Sequence, residues 1–117
     1  MTYTGQNIDN FFQGDTRTLT VTVYDLNGDV TSIVGTTAIK WVTYKRSGGT
    51  IYISKTLGDG ITITDGANGL LEITLIRDDT LNLLGHYNHE CELVDASNNY
   101  STIFTGYFKI TASKANN

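Results

Sequence analysis

The stretch TRTLTVTVYDLNGDV, residues 16–30, decides the fold class of this protein. Leu19, Val21 and Val23 alternate with polar residues, so in an extended strand their side chains point to one face. The Asn-Gly pair at 27–28 accepts the positive φ angles of a tight hairpin turn. The stretch therefore predicts a half-buried β-strand that ends in a turn.

The rest of the chain continues this pattern of short strands and turns. Its 117 residues include twelve glycines and no proline, and Thr, Ile, Val and Tyr are abundant, as in pleated sheets joined by tight turns. In the apolar stretch around Trp41 we place Trp41 toward the core, since the opposite parity would bury Lys40. Six further segments are predicted as strands: 36–46, 50–55, 61–63, 70–76, 86–95 and 100–111.

About seven or eight short strands at this spacing indicate an all-β domain, a β-sandwich or a small barrel. We expect at most one short helical turn, near 78–84, where Asp78 or Asp79 could cap it before Gly85 ends it.

The length of the chain fits one domain with one modest core. We expect the β-sandwich to occupy residues 13–112. Residues 1–12 would form an N-terminal arm or an edge strand, and residues 113–117 a loose tail.

The charge balance argues against a nucleic-acid partner. Twelve Asp and Glu against eight Lys and Arg give a formal charge of −4, whereas phosphate-backbone binding needs a basic surface. No stretch approaches the roughly 20 apolar residues of a membrane span, and the first residues lack a basic segment followed by an apolar run. We therefore expect a protein made and folded in a cytosol, without nucleic-acid or membrane partners.

The segment GHYNHECELVD, residues 85–95, resembles a metal or catalytic site when it is read as a string. In a strand, however, His86 and Glu90 lie on one face, while Tyr87, His89 and Cys91 lie on the other. A helix would reopen the question by bringing both histidines and Glu90 to one face. Strand is favoured because apolar residues recur with period two, so we predict no metal site and no cofactor.

Catalytic readings of other residues are equally weak. Cys91 lies in mid-strand between two glutamates, whereas a reactive thiolate needs an exposed, electropositive environment. The carboxylates of DLNGD at 25–29 and GDGITITDG at 58–66 resemble parts of a calcium loop, but the twelve-residue ligand pattern is absent and turn-forming Asp is the better explanation. We therefore predict a non-enzymatic protein with an inert, buried Cys91.

Four sequence elements carry a family resemblance. They are the GDT lead-in at 14–16, the ITDGANGLLEITL hairpin at 63–75, the corner that runs from DDT at 78–80 through GHY to Glu90, and the closing TGYFKIT at 105–111. Together they resemble the immunoglobulin-like domain at the N-terminus of phage baseplate upper proteins and related small tail or head-surface domains. The resemblance covers roughly residues 13–111.

The resemblance implies an immunoglobulin-like β-sandwich of antiparallel strands. Leu84 to Tyr87 would form a tyrosine corner, in which the Tyr side chain bonds back to the preceding loop. Trp41 would take the place of the core tryptophan of an immunoglobulin strand C. The inter-sheet disulfide of antibody domains is absent, because Cys91 is the only cysteine.

The resemblance also implies a function. We expect a structural or assembly protein of a phage or prophage virion, made in the bacterial cytoplasm: a tail or baseplate adaptor, a fibre-attachment subunit or a capsid decoration subunit. It would act by contacts with other virion proteins and as a homo-oligomer. The candidate contact residues lie in the N-terminal segment, where adjacent phenylalanines cannot both turn inward: Tyr3, Ile8, Phe11 and Phe12. Alternatively, these residues only cover an open end of the sandwich.

A second hypothesis belongs to another class of function. The seven tyrosines and Trp41 could form a stacking platform for a carbohydrate or a host surface glycan. Such residues more often serve as core residues and cross-strand pairs.

Overall fold

The computed structural model describes residues 4–5, 7–45 and 49–114, and in this part the chain is mostly β-strand. The predicted all-β class is therefore confirmed. The strands are β1 (Thr4–Gly5), β2 (Ile8–Phe12), β3 (Arg17–Thr22), β4 (Ala38–Tyr44), β5 (Ile51–Leu57), β6 (Gly60–Asp65), β7 (Leu70–Leu75), β8 (Gly85–Val94) and β9 (Tyr100–Thr111). The helical elements are α1 (Arg77–Thr80) and a 3₁₀ helix (Gly66–Asn68).

The opening stretch forms β3 and the turn after it, as predicted. Leu19 and Val21 are buried, while Thr20 between them is exposed. Beyond the strand, Tyr24 and Val30 form an isolated antiparallel bridge, and Gly28 has a φ of 83° in the turn between them. The second half of this small hairpin does not continue into the next strand, because β4 begins only at residue 38.

The sequence predicts at most one short helical turn, whereas the described residues include two helical elements. The short helix α1 lies where a turn was expected, and the Asp79 carboxylate accepts a hydrogen bond of 2.8 Å from the Ile76 N–H at its start. The 3₁₀ helix at Gly66–Asn68 was not expected. It closes the turn between β6 and β7 with Gly69 at a φ of 68°, a left-handed conformation that glycine adopts without strain.

The strands form one mixed sheet that curls over its own apolar face. Hydrogen-bonded neighbours follow the order β1-β9-β8-β4-β5-β6-β7-β3, and β2 also pairs with β9. The expectation of antiparallel strands throughout is wrong. Both N-terminal strands run parallel to β9, and β5 runs parallel to β6.

The parallel step from β5 to β6 has a local cause. Gly58 and Gly60 have φ angles of 88° and 97°, so the chain bends sharply between them and then continues in the same direction. Before the bend the chain pairs with β4, and after it with β7. The bend transfers the chain from the part of the sheet that contains β9, β8 and β4 to the part that contains β7 and β3.

Two facing parts of the sheet meet at a single apolar core. Ile39 and Trp41 from β4 are buried, which confirms the predicted inward direction of Trp41. Adjacent Ile103 and Phe104 on β9 are both buried, although strand alternation would place one of them outside. The register between β8 and β9 shifts after Cys91, and such a β-bulge redirects one side chain.

A hydrogen bond lies inside this core. The indole Nε1–H of Trp41 donates to Nδ1 of His89 over 3.0 Å, and both side chains are inaccessible to solvent. The His89 ring also makes edge contacts with Phe104 and Phe108, whose centroids lie 5.1 and 5.5 Å away. Polar atoms buried this deeply are stable only when they are hydrogen-bonded.

The GDT lead-in and the DDT corner, two elements of the family resemblance, contact each other. Gly14 N–H donates to the hydroxyl of buried Thr80 over 2.9 Å, and the Gln13 side-chain amide donates to the Leu83 carbonyl over 3.1 Å. Lys55 Nζ lies 2.8 Å from the Asp79 carboxylate. These contacts fix the connection between β7 and β8.

Trp41→Phe should destabilise the protein, because it leaves Nδ1 of His89 buried without this donor. We expect a loss of about 1–3 kcal/mol for the unpaired nitrogen, in addition to the loss from the smaller ring. His89→Leu should have a similar polar cost. The double variant removes both polar groups, so urea unfolding should give it about 1–3 kcal/mol more stability than the sum of the single effects implies.

Phe108→Leu is the matched control, since this ring touches both partners and has no polar atom. It should lower stability. Combined with Trp41→Phe or with His89→Leu, it should not give a double variant that is more stable than the sum of the single effects implies. Strict additivity of Trp41→Phe and His89→Leu would show that the hydrogen bond contributes nothing specific.

Candidate functional site

Residues Gly85–Val94 of this segment form β8, and its two histidines lie on opposite faces of the strand. His86 is exposed, whereas Tyr87, His89 and Cys91 are buried on the opposite face. This confirms the separation predicted from period two. The cluster that looked like a ligand set is divided between the outer surface and the core.

The chemistry available to His89 is limited by its hydrogen bond with Trp41. An Nδ1 atom that accepts a hydrogen bond carries no proton of its own, so in this arrangement the ring proton is on Nε2. The Nδ1 lone pair is therefore occupied by the indole. In this arrangement His89 is a structural acceptor in the core.

Metal ligation finds little geometric support in the described part of the chain. No three His, Cys, Asp or Glu side chains there come close enough to share one ion. The carboxylates of the loops are used as turn formers instead. Asp25 accepts hydrogen bonds from the N–H groups of Asn27 and Asp29 at 2.8 and 3.0 Å.

The turn between β8 and β9 repeats this arrangement. Asp95 accepts hydrogen bonds from the backbone N–H groups of Asn99 and Ser97 at 3.0 and 2.9 Å, and Asn98 adopts a φ of 65°. The hydrogen bond from the Asn99 N–H, reinforced by those from the Ser97 N–H and the Asn99 side chain, holds the pKa of Asp95 below its ordinary value.

Cys91 lies in the core, and its thiol is a poor nucleophile. Burial, with a smaller contribution from the negative charge of Glu92, raises the pKa of Cys91 to about 12. The thiolate is therefore strongly disfavoured near neutral pH. The prediction that Cys91 is buried is confirmed.

Tyr87 lies at the predicted corner. Its hydroxyl donates to the Leu84 carbonyl over 3.4 Å, which is the bond back to the preceding loop that the sequence suggested. The Tyr52 ring packs edge-on against Tyr87 with centroids 5.1 Å apart, and Lys45 Nζ lies 5.2 Å from the Tyr87 centroid. The corner is thus a packed joint between β8 and β5.

The candidate contact residues are distributed unevenly. Phe11 is fully buried against Phe108, with ring centroids 5.3 Å apart, so it belongs to the core of its own chain and is no contact residue. Ile8 is partly buried, and Phe12 is 46% exposed. Tyr3 lies outside the described residues. The two phenylalanines point in opposite directions, as strand geometry requires.

Side-chain bonds hold β2 against β9. The Tyr107 N–H donates to the Asn7 side chain over 3.1 Å, and the Tyr107 hydroxyl donates to the Asp9 carboxylate. The hydrogen bond to Asp9 raises the pKa of Tyr107. Phe12 therefore lies at the end of a segment that is bonded to β9 through its backbone pairing and through side chains.

The proposed carbohydrate platform loses its largest member. Trp41 is 0% exposed and cannot stack on a sugar. Among the described residues the exposed tyrosines are Tyr24, Tyr52, Tyr100 and Tyr107, and they are spread over the loop after β3, the start of β5 and two parts of β9.

Two surface grooves lie among the described residues. A groove of about 300 Å³ runs beside the starts of β4 and β9 and includes Ile39, Lys40, Glu92 and Tyr100. Lys40 faces Glu92 directly across the β4–β8 ladder, a pairing of opposite charges common on exposed sheet faces. A second groove of about 200 Å³ lies between β3 and β9 and reaches His89.

One surface feature was missed at the level of sequence. Leu26, Val30 and Val34 are exposed together in the connection between β3 and β4, and Leu26 reaches 80% exposure. A signal was present, since these apolar residues lie in a turn-rich stretch with no strand alternation to bury them.

Comparisons with known proteins give no further constraint. No model of a known protein family matches the sequence, and a search of curated proteins finds no significant match. Within the ranges that the structure describes, no helix has the length and apolar character needed to cross a membrane.

Cys91 should react with a thiol reagent only after unfolding. At pH 8 we expect DTNB to label the native protein more than about 100-fold more slowly than an exposed cysteine, because the thiolate is both rare and buried. The matched control is Ser54→Cys in a Cys91→Ala background, since Ser54 is exposed on β5. Equal labelling rates for the two proteins would contradict the buried state.

Asp95→Asn should lower stability at pH 7, because the amide accepts the turn's N–H groups less strongly than the carboxylate. The folded pKa of Asp95 is depressed, so its contribution is present above the unfolded value of about 3.9 and is lost as pH falls through the folded value. Urea unfolding should show a wild-type advantage at pH 7 that shrinks near pH 3. An advantage independent of pH would assign it to the shape of the turn alone.

Proposed function

We propose that the chain is an immunoglobulin-like domain. Strand adjacency supports this: β9-β8-β4-β5 corresponds to the order G-F-C-C′ of a variable-type sheet, and β3-β7-β6 corresponds to B-E-D. The bend at Gly58–Gly60 then marks the point where the chain passes from one sheet to the other.

Two core residues support the same proposal. Trp41 lies on β4, the equivalent of strand C, and is completely buried. Tyr87 lies at the start of β8, the equivalent of strand F, and bonds back to Leu84. Both positions carry hallmark aromatic residues in immunoglobulin sandwiches. The disulfide is replaced here by aromatic packing around His89.

We further propose that this domain is a non-enzymatic structural or assembly subunit of a phage or prophage particle. The resemblance to phage baseplate and tail domains supports this. Two of the elements that carry the resemblance, GDT and DDT, contact each other through Gly14 and Thr80 at one end of the sheet. The subunit acts by surface contacts with other virion proteins after synthesis in the bacterial cytoplasm.

The observation that carries the contact mechanism is that two adjacent phenylalanines of β2 point in opposite directions. Phe11 anchors the strand in the core, and Phe12 presents a large apolar ring to solvent at the strand end. An isolated exposed ring is common, but this one lies on a strand that pairs with β9, and Tyr107 of β9 also bonds to the side chains of Asn7 and Asp9. Preorganised aromatic residues are typical anchors of protein interfaces.

Phe12→Ser should therefore weaken incorporation of the chain into particles without unfolding it. In a phage or prophage that encodes the chain, we expect density-purified particles to carry at least about tenfold less of the variant, measured by quantitative mass spectrometry. Its urea midpoint should stay close to wild type, because surface substitutions usually change stability by less than about 0.5 kcal/mol.

Two variants on the same strand make the comparison specific. Asn10→Ser changes an exposed residue on β2 and should leave incorporation unchanged. Phe11→Ser opens a cavity in the core and should unfold the chain instead. Absence of the wild-type chain from purified particles would refute the virion role, and wild-type incorporation of Phe12→Ser would refute the Phe12 contact.

A further inference from the structure

The large apolar side chains that stay exposed are concentrated at the two ends of the sheet. We call residues 23–37, 65–69 and 94–100, which lie where β3, β6 and β8 end, the acidic end. The exposed residues there are Tyr24, Leu26, Val30, Val34 and Tyr100. We call residues 12–17, 44–45, 49–52, 76–85 and 109–114, which lie at the opposite ends of the strands, the basic end. The exposed residues there are Phe12, Ile51, Tyr52, Ile76 and Leu84.

The two ends carry opposite charge. The acidic end has no Lys or Arg in its three segments, and its charged residues are Asp25, Asp29, Asp65 and Asp95. The described segments of the basic end hold five cationic residues: Arg17, Lys45, Arg77, Lys109 and Lys114. They hold three acidic residues, Asp15, Asp78 and Asp79, and Lys55 pairs with the last of these at 2.8 Å. The molecule is therefore electrically polar along its strands.

The acidic end is also held in a fixed shape. Thr31 N–H donates to the Val23 carbonyl over 2.9 Å, and Ile33 N–H donates to Gly66 over 2.7 Å. A Cβ atom on Gly69 would lie 2.4 Å from the Thr31 carbonyl oxygen, so only glycine permits this close approach. The loop that carries Leu26, Val30 and Val34 is thus already ordered in the free protein. Binding a partner therefore costs this loop little conformational entropy.

We propose that copies of this chain associate head to tail, with the acidic end of one copy against the basic end of the next. This inference rests on the proposed function in one respect, namely that the domain works by protein–protein contact. Each end combines exposed apolar rings and side chains with a net charge, negative at one end and positive at the other, so the two ends complement each other. Two identical ends would bring like charges together, which disfavours symmetric pairing.

The size of the ends sets the strength of one contact. The molecule measures 44 × 28 × 23 Å, and the twelve residues of β9 account for roughly 40 Å of strand along the long axis. An elliptical end of 28 by 23 Å offers about 500 Å² per copy, less than the roughly 800 Å² of a standard stable interface. A single contact is therefore weak, and repetition in a ring or stack strengthens it.

The first test is sedimentation velocity of the wild-type chain from about 10 µM to 1 mM. In 20 mM NaCl the weight-average sedimentation coefficient should rise with concentration, and 500 mM NaCl should reduce the apparent association at least about tenfold by screening. A constant monomer value across this range in low salt would overturn the proposal.

Charge reversal tests the head-to-tail geometry. Asp29→Lys damages the acidic end, and Lys45→Glu damages the basic end, so each variant alone should associate at least about tenfold more weakly. An equimolar mixture should recover association, because each damaged end then meets a complementary one. If Lys45→Glu associates like wild type, or if the mixture stays monomeric, the head-to-tail contact is overturned.

Matched controls place new charges on the sides of the sheet. Thr20→Lys on β3 and Ser54→Glu on β5 alter exposed residues in the middle of their strands and should leave association unchanged. Lys45 also lies over the Tyr52 and Tyr87 rings, so Lys114→Glu provides a second basic-end variant that leaves the corner intact. It should reproduce the mixing behaviour.

The two proposals fail separately. A chain that is monomeric in solution yet present on purified particles would overturn the head-to-tail contact alone. A chain that self-associates with this charge dependence but is absent from particles would overturn the virion role alone.

Discussion

The hydrogen bond between Trp41 and His89 is the constraint on which the rest of the core depends. The two residues are diagonal neighbours on β4 and β8, since Trp41 faces Cys91 and Thr43 faces His89. A slip of β8 by one residue would move His89 to the outer face and leave the Trp41 Nε1–H without this acceptor. In a medium of low dielectric constant an unpaired nitrogen is costly, so this bond selects one register of the central pair of strands.

Aromatic packing then extends this constraint to the neighbouring strand. Phe104 and Phe108 of β9 both contact the His89 ring, and Phe108 also meets Trp41 and Phe11. The bulge in β9 is what allows Phe104 to reach the ring while Ile103 stays buried. Through Phe11 the same cluster holds β2, so the N-terminal strand is fixed by the core that it helps to close.

The positions of polar and apolar groups outside the core suit a protein that works by contact. Aspartates at 25 and 95 are committed to turns, and the one described cysteine and the core histidine are committed to packing. What the surface offers a partner is instead a set of exposed apolar side chains at the two ends, beside net charges of opposite sign. This arrangement is the physical basis of both proposals.

The sequence by itself determined the local features. Period-two alternation gave the strand class, the inward direction of Trp41 and the separation of His86 from His89, because side-chain direction in a strand depends only on parity. Turn chemistry likewise identified the Asn-Gly turn. The position of Cys91 in mid-strand between two glutamates predicted a buried, inert thiol. Only the tertiary structure decided that β1 and β2 run parallel to β9, that Phe11 rather than Phe12 is buried, and which donor pairs with Nδ1 of His89. These depend on pairings between residues 48 to 100 positions apart, whose partners no local pattern specifies. The concentration of charge and apolar side chains at opposite ends has the same origin, since distant loops become neighbours only when the sheet curls.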